Sequence, residues 1–145
     1  MEVVIITGLS GAGKTKAADW FEDKGHYCID NMAPALIKNF IDLAMTGKRK
    51  IQKAAFVVDI RGGQFFGDLK EVVTALTDDI NVDFKILFIE ASDEALIRRY
   101  NESRRSHPLS DSVITRSTIE AEIERLAELR SLANYVIDTS SLKVA

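Results

Sequence analysis

Eight consecutive residues constrain this chain more than any other feature. Gly8-Leu9-Ser10-Gly11-Ala12-Gly13-Lys14-Thr15 fills the pattern G-x-x-x-x-G-K-[ST] at every required position. The octet follows an apolar run, Val3–Ile6, and opens an amphipathic stretch that begins at Lys14. That strand–loop–helix order is what the pattern needs to work as a phosphate cradle. Glycines reach backbone angles closed to other residues, so successive N–H groups can turn inward on an anion at the positive end of the following helix. The spacing predicts that Gly8, Leu9, Ser10, Gly11, Ala12, Gly13, Lys14 and Thr15 surround the phosphates of a nucleotide. Lys14 is placed for the β- and γ-phosphates and the Thr15 hydroxyl for Mg²⁺. The competing reading is a Gly-rich turn with an incidental lysine.

The rest of the chain repeats the same alternation. Short apolar runs at Val3–Ile6, Tyr27–Ile29, Ala55–Ile60, Ile86–Ile89 and Tyr135–Ile137 are continuous rather than alternating, as in strands covered on both faces of a parallel sheet. Between them, Lys14–Asp23, Pro34–Met45, Phe65–Ile80, Asp93–Ser103 and Thr118–Asn134 place apolar residues at helical spacing. Ser92 is a natural N-cap for the fourth helix. Ser117 with Glu120 reads as a capping box for the fifth, whose Ile119, Ile123, Leu126, Leu129 and Leu132 share a face. The expected fold is therefore doubly wound α/β with a mostly parallel five-stranded sheet. Arg104 to Arg116, which is polar and contains Pro108, reads as a mobile loop.

At 145 residues one domain covering 1–145 is expected, and the sequence stops soon after the last apolar run, as part of a longer protein would. Hydrophobic residues at 46% and only 2 Pro and 8 Gly exclude a disordered or fibrous chain. The longest apolar run, Ala54 to Val58, is five residues, against the ~20 that cross a bilayer. No membrane partner is expected. With no basic, apolar leader at the start and a single cysteine, Cys28, the chain reads as cytoplasmic. A net charge of −3 gives no global attraction to nucleic acid, so any anion site must be local.

Several further residues are candidates for chemistry. Asp59 closes the third apolar run, where a Mg²⁺-holding acid belongs in a nucleotide site. Asp59-Ile60-Arg61-Gly62 also reads D-x-x-G, in which the glycine N–H can sense a γ-phosphate. Asp30 and Asn31 follow the second strand, at the edge where ligands of α/β sheets bind. Asp30 is placed to orient an attacking water or hydroxyl, or else the pair simply caps the helix near Pro34. Arg98, Arg99, Arg104 and Arg105 form the one basic patch. On a loop closing over nucleotide, Arg104 and Arg105 would stabilise charge developing on the γ-phosphate; alternatively these arginines only complement a helix dipole. His107 has no second ligand at metal spacing, so no zinc site is expected. Trp20, Phe21 and Phe40 read as core, and His26 and Cys28 as packing residues.

Five segments together resemble the RapZ/YvcJ family of bacterial nucleotide-binding proteins: GLSGAGKT at Gly8–Thr15, CIDN at Cys28–Asn31, VVDIRG at Val57–Gly62, LIRRYNESRRSHPL at Leu96–Leu109 and RLAELRSLANYVIDTS at Arg125–Ser140. The resemblance implies a three-layer P-loop NTPase fold of the small-molecule-kinase kind. It also implies ATPase and GTPase activity with Mg²⁺, ATP on Gly8–Thr15 and GTP on Asp59–Gly62. For the longer proteins of the family it implies a small-RNA partner and an endoribonuclease, engaged through a C-terminal domain. Homo-oligomerisation stays open. The reading that fits best is a regulatory nucleotide-binding domain with slow hydrolysis. Its alternatives are a kinase transferring the γ-phosphoryl group to a small hydroxyl acceptor, and a binding module in which nucleotide is structural.

Overall fold

The structure, a computed structural model, describes residues 1–9, 11–46, 51–59, 63–106 and 116–141, with the backbone alone at 63–66, 103–106 and 118. Five strands alternate with helices: β1 Glu2–Gly8, α1 Lys14–Asp23, β2 Tyr27–Ile29, α2 Pro34–Thr46, β3 Lys53–Val57, α3 Gly63–Thr77, β4 Asp83–Glu90, α4 Asp93–Ser106, α5 Arg116–Leu132 and β5 Tyr135–Asp138. The strands form one sheet in the order β2-β3-β1-β4-β5, and every pairing is parallel. The expected doubly wound α/β fold is therefore present. The right-handed crossover rule sets α1, which spans a step from β1 out to β2, on the face opposite α2 and α3, which span steps in the reverse direction.

The core lies where that order changes direction. Ile5 and Ile6 of β1, Phe56 and Val57 of β3, and Phe88 and Ile89 of β4 are all buried, so the central strands are covered on both faces. Each helix contributes one stripe: Ile37, Ile41 and Ala44 from α2, Leu69, Val72 and Leu76 from α3, and Ile119, Leu126 and Leu129 from α5. These i, i+3, i+4 and i+7 spacings give a single apolar face per helix. Full burial of one such Ile, Leu or Phe stabilises the fold by roughly 1.5–3 kcal/mol.

Several expectations are corrected. β3 ends at Val57, so Asp59 lies beyond the strand rather than within it, and α3 ends at Thr77, short of Ile80, which is exposed. The fourth helix includes Arg104 and Arg105 and is described as far as Ser106. Proline at 108 disfavours helix chiefly at the residue before it, so residues up to Ser106 are free to be helical. The first residues of the expected loop are thus helical, and 107–115, His107 included, lie outside the described residues. Helix α5 starts at Arg116, which puts Ser117 inside the first turn instead of at the cap, and Ile123 and Leu132 are each 41% exposed.

Two surfaces also differ from expectation. Trp20 is 56% exposed: it stands edge-on to Phe21 with the Lys24 ammonium 5.5 Å above its ring, a surface cluster rather than core. Phe21 and Phe40 are half-buried, and Phe40 packs edge-on against the buried Phe56. β5 was expected to be covered on both faces, yet Tyr135, Val136 and Ile137 are exposed; among the described residues β5 is an edge strand, paired with β4 alone. No helix among the described residues is long and apolar enough to cross a membrane.

Candidate functional site

β1 leads towards β2 on one side of the sheet, whereas β4 leads towards β5 on the other. Their carboxyl ends are therefore the point where chain direction divides and a crevice opens. The glycine-rich loop sits there. Gly8 pairs with Ile89 in register, and a Cβ on Gly8 would stand 2.0 Å from the Ile89 carbonyl oxygen. Only glycine allows the loop to leave the sheet this close to β4, at φ 142. The Leu9 N–H then donates to the Ile89 carbonyl at 3.0 Å, and the Ala12 N–H turns back to the Leu9 carbonyl at 3.1 Å. Gly13, in the left-handed region at φ 113, delivers the chain into α1.

Helix α1 has no acidic residue in its first turn, so nothing on the helix offsets the positive end of its dipole. Lys14 folds back over the loop. Its ammonium donates to the Gly8 carbonyl at 3.1 Å and the Leu9 carbonyl at 3.3 Å, and pairs with Asp59 Oδ1 at 2.9 Å. Three protons thus meet three acceptors. The Lys14 side chain is only 10% exposed, whereas Asp59 is 34% exposed and reachable from solvent. Asp59 is carried there because the Val58 N–H continues the sheet by donating to the Ile6 carbonyl at 2.9 Å, which swings the next residue across the end of β1.

The residues expected to form one site are brought together in part. Gly8, Leu9, Gly11, Ala12, Gly13, Lys14 and Asp59 share this carboxyl edge, with Thr15 exposed one residue into α1. Asp30 and Asn31 are exposed at the end of β2, two strands away from β1. Asn31 is in the left-handed region at φ 58, and the turn it makes lets the Met32 N–H donate to the Val57 carbonyl at 2.9 Å. Arg104 and Arg105 occupy the last turn of α4. Ser10, Ile60, Arg61 and Gly62 lie outside the described residues.

Among the described residues no three His, Cys, Asp or Glu side chains gather into a metal cage. The Thr15 hydroxyl and the Asp59 carboxylate are instead hard oxygen donors flanking the loop. That is the sparse protein contribution suited to Mg²⁺ when phosphate oxygens and water complete its shell.

Two neighbours of the loop were not singled out for this role. From α4, Arg99 Nη1 donates to the Gly11 carbonyl at 3.2 Å and to Thr139 Oγ1 at 3.1 Å, and its Nη2 donates to the Thr139 carbonyl. Thr139, just past β5 and buried, donates its hydroxyl to the Ala12 carbonyl. The turn around it is tied down as well. Asp138 Oδ1 accepts from the Ser140 N–H at 2.8 Å and from the Ser140 hydroxyl, while Ser140 Oγ accepts from the Ser92 N–H at 2.7 Å. Ser92 caps α4 as expected, accepting from the Ala95 N–H at 3.2 Å. These hydrogen bonds from Ser140 hold the Asp138 carboxyl below the usual carboxylate range, with a smaller contribution from the charge of Arg99. For Thr139 the sequence signal was Asp138-Thr139-Ser140 within a segment resembling a known family, and for Arg99 its place in the basic patch.

Comparison with known proteins agrees with this architecture. Solved structures similar to the chain include a shikimate kinase from Bacteroides thetaiotaomicron, with a TM-score of 0.59 at 14% identity over 98% of this chain and 89% of that one. Another is a shikimate kinase from Acinetobacter baumannii in complex with shikimate, with a TM-score of 0.61 at 15% identity over 96% of this chain and 84% of that one. At such identities the likeness establishes the P-loop, kinase-like fold and nothing further. Sequence relatives are much nearer. A protein of Finegoldia magna named "Nucleotide-binding protein" is 51% identical over 98% of this chain and 50% of its own length. One of the same name from Syntrophomonas wolfei is 50% identical over 98% of this chain and 48% of its own. The chain spans about half the length of these relatives. The family model described as RapZ-like N-terminal domain matches residues 1–145, the loop, Asp59 and the Asp138-Thr139-Ser140 turn included, and the chain belongs to that family.

Proposed function

We propose that residues 1–145 form a regulatory nucleotide-binding domain that takes ATP or GTP with Mg²⁺ and hydrolyses it slowly. The observation that carries this reading is the pairing of Lys14 Nζ with Asp59 Oδ1 at 2.9 Å over a loop of left-handed glycines. A triphosphate entering the loop offers Lys14 a stronger acceptor than the carboxylate. It also frees Asp59, which with Thr15 would hold Mg²⁺, a supplier of charge neutralisation on the β- and γ-phosphates. In this reading the loop N–H groups and the α1 dipole bind the phosphates, and Asp59 to Gly62 follow the γ-phosphate. Asp30 orients the attacking water, and Arg104 and Arg105 approach the γ-phosphate from the end of α4. Occupancy is then passed to the remainder of a protein about twice this length. There the family resemblance supports engagement of a small RNA and an endoribonuclease in the cytoplasm.

A second reading, γ-phosphoryl transfer to a small hydroxyl compound, is favoured by the exposed Asp30 beside the left-handed Asn31 at the sheet edge. Calorimetric titration with non-hydrolysable ATP and GTP analogues, with and without Mg²⁺, tests the binding. Phosphate release with and without a mixture of hydroxylated metabolites separates the two reactions. Hydrolysis indifferent to the mixture supports the regulatory reading, and phosphorylated metabolite would replace it by the kinase. Absence of binding to either analogue would sink both.

A further inference from the structure

A phosphate-binding loop works only if its peptide planes are already turned before the anion arrives. N–H groups must face inward, and in a trans peptide the carbonyl of the same plane then points outward. The outward carbonyls of this loop have specific partners. The Gly11 carbonyl accepts from Arg99 Nη1 at 3.2 Å, and its plane-mate, the Ala12 N–H, closes the loop on the Leu9 carbonyl. The Ala12 carbonyl accepts from the Thr139 hydroxyl, which leaves its plane-mate, the Gly13 N–H, directed away from Thr139. Thr139 is itself fixed on three sides. Its N–H donates to the Glu90 carbonyl at 2.8 Å, its Oγ1 accepts from Arg99, and its carbonyl accepts from Arg99 Nη2.

At the hydroxyl the single proton lies closer to the Ala12 carbonyl than to the Glu90 carbonyl, which is 3.4 Å away, and one of the two lone pairs takes Arg99. Arg99 meanwhile uses the two protons of Nη1 on different acceptors and one of Nη2 on a third. A lysine, with a compact ammonium in place of a planar fork, cannot span these positions. One turn earlier on α4, Leu96 packs beneath the loop, with its Cδ2 3.7 Å from where a Gly11 Cβ would stand.

We propose that Arg99 and Thr139 are positioning residues for the phosphate loop. By anchoring the Gly11 and Ala12 carbonyls they keep the Gly13 N–H turned towards the phosphate and place a fixed positive charge behind it. Neither touches the nucleotide. The inference rests on the nucleotide-binding reading above and deepens it: affinity for the phosphate chain is governed from α4 and from the turn after β5.

Thr139→Val keeps the β-branched shape and removes the hydroxyl, Thr139→Ser restores it, and Arg99→Met removes the fork. Each would be titrated with ATP and GTP analogues and with inorganic tripolyphosphate, alongside urea denaturation. The valine and methionine variants should lose about tenfold in affinity for all three ligands, the scale of one charge-assisted hydrogen bond, with the ATP-to-GTP ratio unchanged. The serine variant should bind like the parent, and the double variant should lose less than the product of the single losses, because both act through one loop. A loss of stability with unchanged affinity of the folded protein would overturn the proposal, as would losses confined to one base. Should Thr139→Val fail to fold, Arg99→Met and Arg99→Lys carry the same test, both expected to lose affinity. If the parent protein bound none of the ligands, the nucleotide reading itself would fall. Parent binding with unaltered variants would remove only the positioning role.

Discussion

Lys14 Nζ and Asp59 Oδ1 stand 2.9 Å apart, so the lysine of the glycine-rich loop and the acid beyond β3 are each other's counter-ions. The pair has a switch-like quality, because triphosphate competes for one member and Mg²⁺ for the other. Lys14→Ala should lower the affinity for ATP and GTP analogues roughly 100-fold, the scale of lost charged hydrogen bonds. The urea midpoint should change little, since Lys14 is not among the buried apolar side chains of the core. Calorimetry on the variant checks this, and parental affinity would remove Lys14 from the site.

Asp59→Asn separates the two roles of the acid. The amide keeps the shape but neither counters the Lys14 charge nor holds Mg²⁺ well. Affinity measured with EDTA should therefore stay level or rise, since Lys14 is released from its carboxylate, whereas the gain on adding Mg²⁺ should shrink. A variant whose Mg²⁺ dependence matched the parent's would show that the acid only restrains the lysine.

Two loop glycines should respond differently to the same substitution. At Gly8 an alanine Cβ meets the Ile89 carbonyl oxygen at 2.0 Å and the Ile89 nitrogen at 2.7 Å, both backbone atoms of a buried strand. We expect Gly8→Ala to destabilise the fold by more than ~3 kcal/mol, since strand β1 or β4 must shift. Around Gly13 nothing lies within 4 Å, and only its φ of 113 resists a side chain, a cost of about 1–2 kcal/mol. Urea denaturation of both variants would show the difference in order. Equal losses would mean that backbone angle, not contact with β4, dictates glycine at position 8.

What was legible in the sequence was local. The loop and the Ser92 cap depend on residues within a few positions of each other, and the central strands announced themselves as continuous apolar runs. The hold on the loop was not legible, because Arg99 meets Gly11 across 88 residues and Thr139 meets Ala12 across 127. A threonine after a strand has no pattern that reveals its partner. Arg99 was read within a basic patch, but a charge count cannot separate an arginine forked onto backbone carbonyls from one in solvent. β5 erred in the opposite direction. Tyr135, Val136 and Ile137 have the composition of a covered strand, and composition does not say whether an edge has a neighbour. Trp20 differs for a related reason, since an aromatic ring at a helical position packs equally well at the surface, here between the half-buried Phe21 and the Lys24 ammonium.

The turn that carries Thr139 should be sensitive to acid. Asp138 accepts from the Ser140 N–H and hydroxyl, and these bonds, more than the nearby charge of Arg99, favour the ionised carboxyl and lower its pKa in the folded protein. A carboxyl lowered on folding contributes stability that is fully present above its unfolded value of about 3.9. That contribution is lost as pH falls through the lower, folded value. Asp138→Asn should therefore be less stable than the parent at pH 7, and the gap between their urea midpoints should narrow as pH drops below about 4. Because Ser140 also receives the Ser92 N–H, the same acidification should loosen the start of α4, readable as faster amide exchange at Ser92. A gap that stayed constant down to pH 3 would show that the amide of asparagine holds the turn as well as the carboxylate does, and that the charge of Asp138 contributes nothing to it.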